Sequence, residues 1–194
     1  MEISVLPLFK NETSLKSRIN ELLEKFFADT KGVDVTIAVP SGSAINDYIA
    51  QEVATHCTNP KFIDNLFIKL SPEEVDDLIF DENSSFRLHY GKDYPEMHNA
   101  FVKYCSKMPI DTFQFHKIPD MEMRKCIEHT IKLSDDFYGE QVDAINGKHV
   151  LVIDDSLTTE GTIKQACQII ADDFTPASIT VLTLFSPLYD ETGK

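Results

Sequence analysis

Two adjacent carboxylates, Asp154 and Asp155, follow Val150-Leu151-Val152-Ile153 and precede Ser156-Leu157-Thr158-Thr159-Glu160-Gly161-Thr162. The four apolar residues read as a buried central strand. The two acids then stand at its C-terminal end, the edge where open α/β sheets bind ligands. The turn after them is rich in hydroxyls and ends at a glycine. A helix starting at Thr162 follows, with Ile163, Ala166, Cys167 and Ile170 on one face. Free backbone N–H groups, hydroxyls and the helix dipole together suit a phosphate. The carboxylates suit sugar hydroxyls, or Mg²⁺ held through water. A ribose 5-phosphate satisfies both sides of such a site. A second small-residue turn, Pro40-Ser41-Gly42-Ser43, lies earlier in the chain. Small residues there let backbone N–H groups approach a diphosphate closely.

The elements that must position these residues alternate between helix and strand. Residues 12 to 29 place Leu15, Ile19, Leu22, Leu23, Phe26 and Phe27 at helical spacing. This stripe serves as core packing or as a dimer interface. Val33 to Val39 is short and β-branched, a buried strand that Pro40 to Ser43 ends. Ser43 can cap a helix carrying Ile45, Ile49, Ala50 and Val53. Phe62 to Leu70 reads as the next strand. Ser71-Pro72-Glu73-Glu74 has the cap, first-turn proline and third-position acid of a helix start, and that helix runs to Phe80.

Residues 81 to 92 read as polar and irregular. Asp93 to Cys105 reads as a helix with Met97, Phe101, Val102 and Cys105 inward. Thr112 to Ile118 alternates like a strand. The span from Asp120 to Tyr138 holds a short helix around Arg124 and a strand near Thr130 to Leu133. The final strand is Ser178 to Leu184, after the strand His149 to Ile153 and its helix. The expected fold is α/β, a mainly parallel central sheet with helices on both faces, Rossmann-like, plus a small hood. One domain over 1–194 is expected. Residues 1–30 form an appended helical segment, and 81–138 supply the hood and variable loops.

Composition limits the partners. The chain has 194 residues, 18 basic against 32 acidic, and a formal net charge of −14. Such a surface repels a phosphate backbone and anionic lipid, so nucleic acid and membranes are not expected partners. No run of 18 apolar residues occurs, and the N-terminus lacks a basic stretch ahead of a long apolar core. The expected localisation is cytoplasmic. The four cysteines, Cys57, Cys105, Cys126 and Cys167, form no CxxC pair and read as reduced, buried side chains. Cys126 and His129 lack a second pair, so no zinc site is expected. The six histidines show no metal or nucleophile spacing.

The stretch Val150 to Thr162 resembles the phosphoribosyl-pyrophosphate (PRPP) signature of the type I phosphoribosyltransferases, and Thr36 to Ser43 is similar to that family's first strand and pyrophosphate loop. The resemblance spans about residues 33 to 186. A nearer likeness, to the competence-protein-F group, rests on the spacing of Asp154-Asp155-Ser-Leu-Thr158-Thr159 and on the strand from Ile179. The resemblance implies that Asp154 and Asp155 contact the ribose 2′- and 3′-hydroxyls, as catalytic and Mg²⁺-binding groups. It implies that Thr158, Thr159, Gly161 and Thr162 cradle the 5′-phosphate, with Glu160 contributing backbone only. Ser41, Gly42 and Ser43 would form the pyrophosphate loop.

The activity so implied is Mg²⁺-dependent transfer of a phosphoribosyl group from PRPP to an unknown base or amine, with release of pyrophosphate. The partners would be PRPP, that acceptor and a second copy in a homodimer. Two departures point elsewhere. Glu160 stands where the family has Gly or a small residue, and the pyrophosphate loop lacks a Lys or Arg. The candidate diphosphate cations are then Arg87 and Lys92, or Arg124 with Lys125. A second hypothesis keeps the fold as a binding module, a regulator or competence-linked accessory factor without turnover. A third, a phosphate-ester hydrolase with Asp154 as nucleophile, lacks a visible acid/base and lysine. No general base is identifiable.

Overall fold

The computed structural model describes residues 12–29, 32–41, 45–56, 61–63, 65–137, 142–156 and 161–185. In chain order the elements are α1 (Glu12–Asp29), β1 (Val35–Ala38), α2 (Ile45–His56), β2 (Lys61–Ile63), β3 (Phe67–Lys69), α3 (Pro72–Phe80), α4 (Ser85–Tyr90), α5 (Tyr94–Cys105), α6 (Met121–Lys125), β4 (Ile131–Leu133), α7 (Val142–Ile145), β5 (His149–Ser156), α8 (Gly161–Asp173) and β6 (Ser178–Phe185).

Four strands form the main sheet in the order β2-β1-β5-β6, and every neighbouring pair is parallel. The central strands carry continuous apolar runs because both their faces are covered. Val150, Leu151, Val152 and Ile153 are each at most 1% exposed. Their side chains alternate. Val150 and Val152 pack with Val35, Ile37 and Val39 of the β1 segment and with Ile163, Ala166 and Ile170 of α8. Leu151 and Ile153 pack on the other face with Ile19 and Leu23 of α1 and Ile49, Ala50 and Val53 of α2. Each of these valines, leucines and isoleucines stabilises the fold by about 1.5–3 kcal/mol through burial, the alanines less. The mainly parallel sheet with helices on both faces is the expected architecture. Of the α1 stripe, Leu23 is fully buried, Phe26 and Phe27 pack partly against this core, and Leu22 is 40% exposed.

The span Phe62 to Leu70 is not one strand. It is two, in different sheets: β2 lies at the main sheet's edge beside β1, and β3 pairs antiparallel with β4. Asn65 sits between them at φ 59°, the left-handed region that an asparagine tolerates and a strand interior forbids. The chain turns there and leaves the main sheet.

Between Leu70 and Thr130 the chain builds a second core. Val75, Ile79, Phe86, Phe101, Phe113, Ile118 and Met123 are among its buried residues. Three expectations fail in this region. Residues 81 to 92 are not irregular: Ser84 caps α4 by accepting from the Arg87 amide, and a turn of 3-10 helix follows at Gly91–Asp93. Thr112 to Ile118 is not a strand, since it finds no neighbouring strand and its end winds into 3-10 helix at Phe115–Lys117. Val102 points outward, 42% exposed, while Tyr94 and Phe101 are the buried residues of α5.

The start of α3 follows its sequence signature. Ser71 accepts from the Glu74 amide at 3.1 Å, and Glu74 accepts from the Ser71 amide at 2.7 Å. Lys132 of β4 adds an ion pair to Glu74 at 2.7 Å. The Lys132 hydrogen bond and the Ser71 amide pull the Glu74 carboxyl down to about 2. A depressed carboxyl contributes stability that is present above its ordinary value and lost as pH falls toward 2. In urea unfolding, the stability gap between wild type and Glu74→Gln is therefore expected to be full at pH 6. It should close between about pH 4.5 and pH 2. A gap unchanged at pH 3 would show that the ion pair adds nothing to the cap.

Candidate functional site

The two outward connections of the main sheet diverge between β1 and β5. From β1 the chain runs through α2 to β2 on one side, and from β5 through α8 to β6 on the other. α2 packs on one face and α8 on the other. Such a reversal opens a crevice outside the carboxyl ends of the two central strands. Ala38 is level with Ile153, and the Val39 amide donates to the Ile153 carbonyl at 2.9 Å. Val39 and Asp154 therefore sit side by side at the mouth of this crevice.

Asp154 lies in β5, half-buried, where an eight-residue strand brings it past the apolar run. The strand runs past its expected end at Ile153, because Asp154 still pairs with Thr183 and Ser156 with Phe185 of β6. Asp155 and Ser156 continue the strand. Gly161 opens α8, exposed, and Thr162 is half-buried beside it. Ser41 follows β1, half-buried. Thr158, Thr159, Glu160, Gly42 and Ser43 lie outside the described residues, as does Cys57. The chain thus brings Asp154, Asp155, the start of α8 and the segment after β1 to one sheet edge.

The candidate cations lie in the second core. Arg87 donates to the Phe80 carbonyl at 3.0 Å, and its guanidinium sits 4.8 Å from the centre of the Tyr94 ring. Arg124 donates through Nε to the Ile118 carbonyl and lies 6.0 Å from the centre of the Phe115 ring. Lys92 is exposed in the 3-10 turn, and Lys125 pairs with Glu122 at 2.7 Å.

Two functional candidates carry no motif signal. Asn46, in the first turn of α2, is 1% exposed and donates to the Val39 carbonyl at 2.9 Å. Its Nδ2 also reaches the Asp154 carboxylate at 3.4 Å. Gln165 of α8 is 8% exposed. It accepts from the Thr130 and Ile131 amides at 2.9 and 3.3 Å, and donates to the Ile131 carbonyl at 2.7 Å. It ties the helix that starts at the site to the strand that carries the second core. The available signal was position: Asn46, Ile49, Ala50 and Val53 share one helix face, so a polar residue occupies a core position.

Cys105, Cys126 and Cys167 carry free thiols. Burial pushes Cys105 up to about 12 and raises the other two, so these three are protonated at neutral pH and are poor nucleophiles. Among the described residues, no group of three or more His, Cys, Asp or Glu gathers into a metal cage. Asp154 at a strand end fits the other mode of Mg²⁺ binding, in which one or two carboxylates act with substrate phosphates and water. Among the described residues, no helix is long and apolar enough to cross a membrane.

No protein-family model matches this sequence, and no curated protein matches it. Three solved structures share part of its architecture. A hypothetical protein from Neisseria gonorrhoeae with bound ppGpp is 14% identical with a TM-score of 0.49, covering 95% of this chain and 73% of that one. An alanine mutant from an analysis of an invariant aspartic acid in HPRTs is 14% identical with a TM-score of 0.47, covering 94% and 71%. The allosteric regulatory enzyme of purine biosynthesis is 13% identical with a TM-score of 0.42, covering 87% of this chain and 25% of its own. Likenesses this distant carry no chemistry across, and the functional assignment rests on the β1–β5 edge.

Proposed function

We propose that this chain binds PRPP with Mg²⁺ at the C-terminal edge of β1 and β5, and transfers its phosphoribosyl group to a base or amine with release of pyrophosphate. The observation that supports this most is the placement of Asp154 at the switch point of a parallel sheet, beside the segment after β1 and near the start of α8. In this reading the chain is a type I phosphoribosyltransferase. Asp154 and Asp155 hold the ribose hydroxyls, and the backbone before and at Gly161 with Thr162 holds the 5′-phosphate. Ser41, Gly42 and Ser43 would bind the diphosphate. Bound Mg²⁺ would neutralise part of the diphosphate charge. The chain's own work is then to orient the sugar while C1 becomes oxocarbenium-like.

A second reading is a binding module that senses PRPP or a nucleotide without turnover. The engagement of Arg87 and Arg124 with backbone carbonyls and aromatic rings of the second core favours it, because a leaving diphosphate needs cations nearby.

Calorimetric titration of PRPP with Mg²⁺ into the full chain tests the shared premise. Wild type is expected to bind in the micromolar range. Asp154→Asn/Asp155→Asn is expected to bind about 100-fold more weakly, the worth of two charge-assisted hydrogen bonds to the sugar. A folded wild type that takes up no PRPP would overturn both readings. Pyrophosphate release on addition of a base or amine selects transfer; binding without release under any acceptor tried selects the module.

A further inference from the structure

Asn46 has a chemistry that the fold does not require. Its neighbours along the same helix face, Ile49, Ala50 and Val53, are fully buried apolar residues. Its Oδ1 is buried without a hydrogen-bond partner. An acceptor left in that state costs stability, and an apolar side chain of similar size would avoid the cost. What the amide supplies is a nitrogen with two N–H groups. One is directed at the Val39 carbonyl at the end of β1, 2.9 Å away, and the other reaches the Asp154 carboxylate at 3.4 Å. A hydroxyl offers one hydrogen for these two acceptors, a carboxylate offers none and repels Asp154, and an aliphatic side chain offers none.

We propose that Asn46 is the positioning residue of the site: it fixes the Asp154 carboxylate relative to the end of β1, so that recognition of a vicinal diol depends on it. This rests on the phosphoribosyl reading of the same edge. Asn46 itself touches no substrate in this scheme. It aims the group that does, and it links the strand before the pyrophosphate segment to the strand that bears the acids. The unpartnered Oδ1 is the residual cost of placing a two-hydrogen donor there.

Two measurements on the full chain test this. The first needs no ligand. The side-chain amide protons of Asn46, assigned by their loss in Asn46→Leu, are followed by NMR in wild type and in Asp154→Asn. The tether predicts that Asp154→Asn moves one of the two proton resonances and leaves the other, held by Val39, in place. Two unmoved resonances would overturn the positioning role whatever the ligands do.

The second measurement compares Mg²⁺-dependent binding of ribose 5-phosphate and 2-deoxyribose 5-phosphate. Wild type is expected to prefer the ribose compound about tenfold, the worth of one hydrogen bond to a charged group. Asn46→Leu, with its fold verified by circular dichroism, is expected to cut that preference to about twofold, with the 2-deoxy affinity falling less than the ribose affinity, since only the ribose compound has the 2-hydroxyl contact to lose. A retained preference, or an equal loss for both sugars, would overturn the proposal. If wild type binds neither sugar but the NMR tether is present, Asn46 still positions Asp154, and it is the phosphoribosyl reading that falls.

Discussion

Phe86→Ala is expected to loosen the second core by about 3–5 kcal/mol while leaving the main sheet closed to exchange. Phe86 is fully buried, and its ring centre lies 4.9 Å from that of Tyr90, 6.2 Å from Tyr94 and 6.0 Å from Phe101. Truncation removes the ring around which three other aromatics are arranged, and large neighbours on short helices collapse poorly into the cavity. The buried residues of this core all come from Leu70 to Ile127, whereas the main sheet has its own clusters on each face. Native-state hydrogen exchange should therefore show faster opening in α3, α4 and α5, with β1 and β5 amides unchanged. Equal acceleration in both regions would mean that the two cores open as one cooperative unit.

Gln165→Leu is expected to cost about 3 kcal/mol, because it strands the Thr130 and Ile131 amides and the Ile131 carbonyl in a buried place. Leucine fills most of the volume, so the loss measures polar satisfaction rather than packing. Gln165→Glu keeps the acceptor for both amides and loses the Nε2 contacts to the Ile131 carbonyl and to His129, so its cost should fall between wild type and the leucine variant. Exchange at the Thr130 and Ile131 amides is the direct readout. Protection there that survives Gln165→Leu would show that β3 alone holds β4 in place. His129 adds a contact between its Nδ1 and the Gln165 Nε2 at 3.3 Å, which extends the same clamp by one residue.

The elements that sequence periodicity located share one property: a strong local signal agrees with their burial. The α1 stripe apart from Leu22, the start of α3 ahead of buried Val75 and Ile79, the apolar run of β5 and the face of α8 all combine the two. The failures have separate causes. Phe62 to Leu70 has six apolar residues of nine, and apolarity does not say which sheet a strand joins; the backbone of Asn65, between the two apolar runs, decides that. Residues 81 to 92 are polar, yet Ser84 and Phe86 suffice to cap and anchor a short helix.

Thr112 to Ile118 alternates in sequence, but Phe113 and Ile118, the two buried residues, would fall on opposite faces of a strand, and the 3-10 turn at Phe115–Lys117 brings both to the same core. At the candidate site, Asp154 was legible because two acids after a buried strand are a local pattern. Asn46 and Gln165 were not, because each acts on residues far away in the chain, and nothing in its own neighbourhood marks its partner.

The second core enters and leaves the rest of the molecule at one place. Leu70 and Thr130 flank the antiparallel pair β3–β4, and the Leu70 amide donates to the Thr130 carbonyl at 3.0 Å. The segment between them is joined to the rest by two strand ends already held together, with the Glu74–Lys132 pair and the His129–Gln165 contact as further side-chain ties beside them. A segment tethered this way can be lengthened, shortened or exchanged for another compact unit without moving the parallel sheet, since only the spacing of the two attachment points must be kept. The chain is in this sense a cassette: a constant scaffold that presents Asp154 and Asn46, and a replaceable module of some sixty residues. Closing the gap between Leu70 and Thr130 with a tight turn would yield a minimal sheet protein in which the chemistry of the edge can be studied alone.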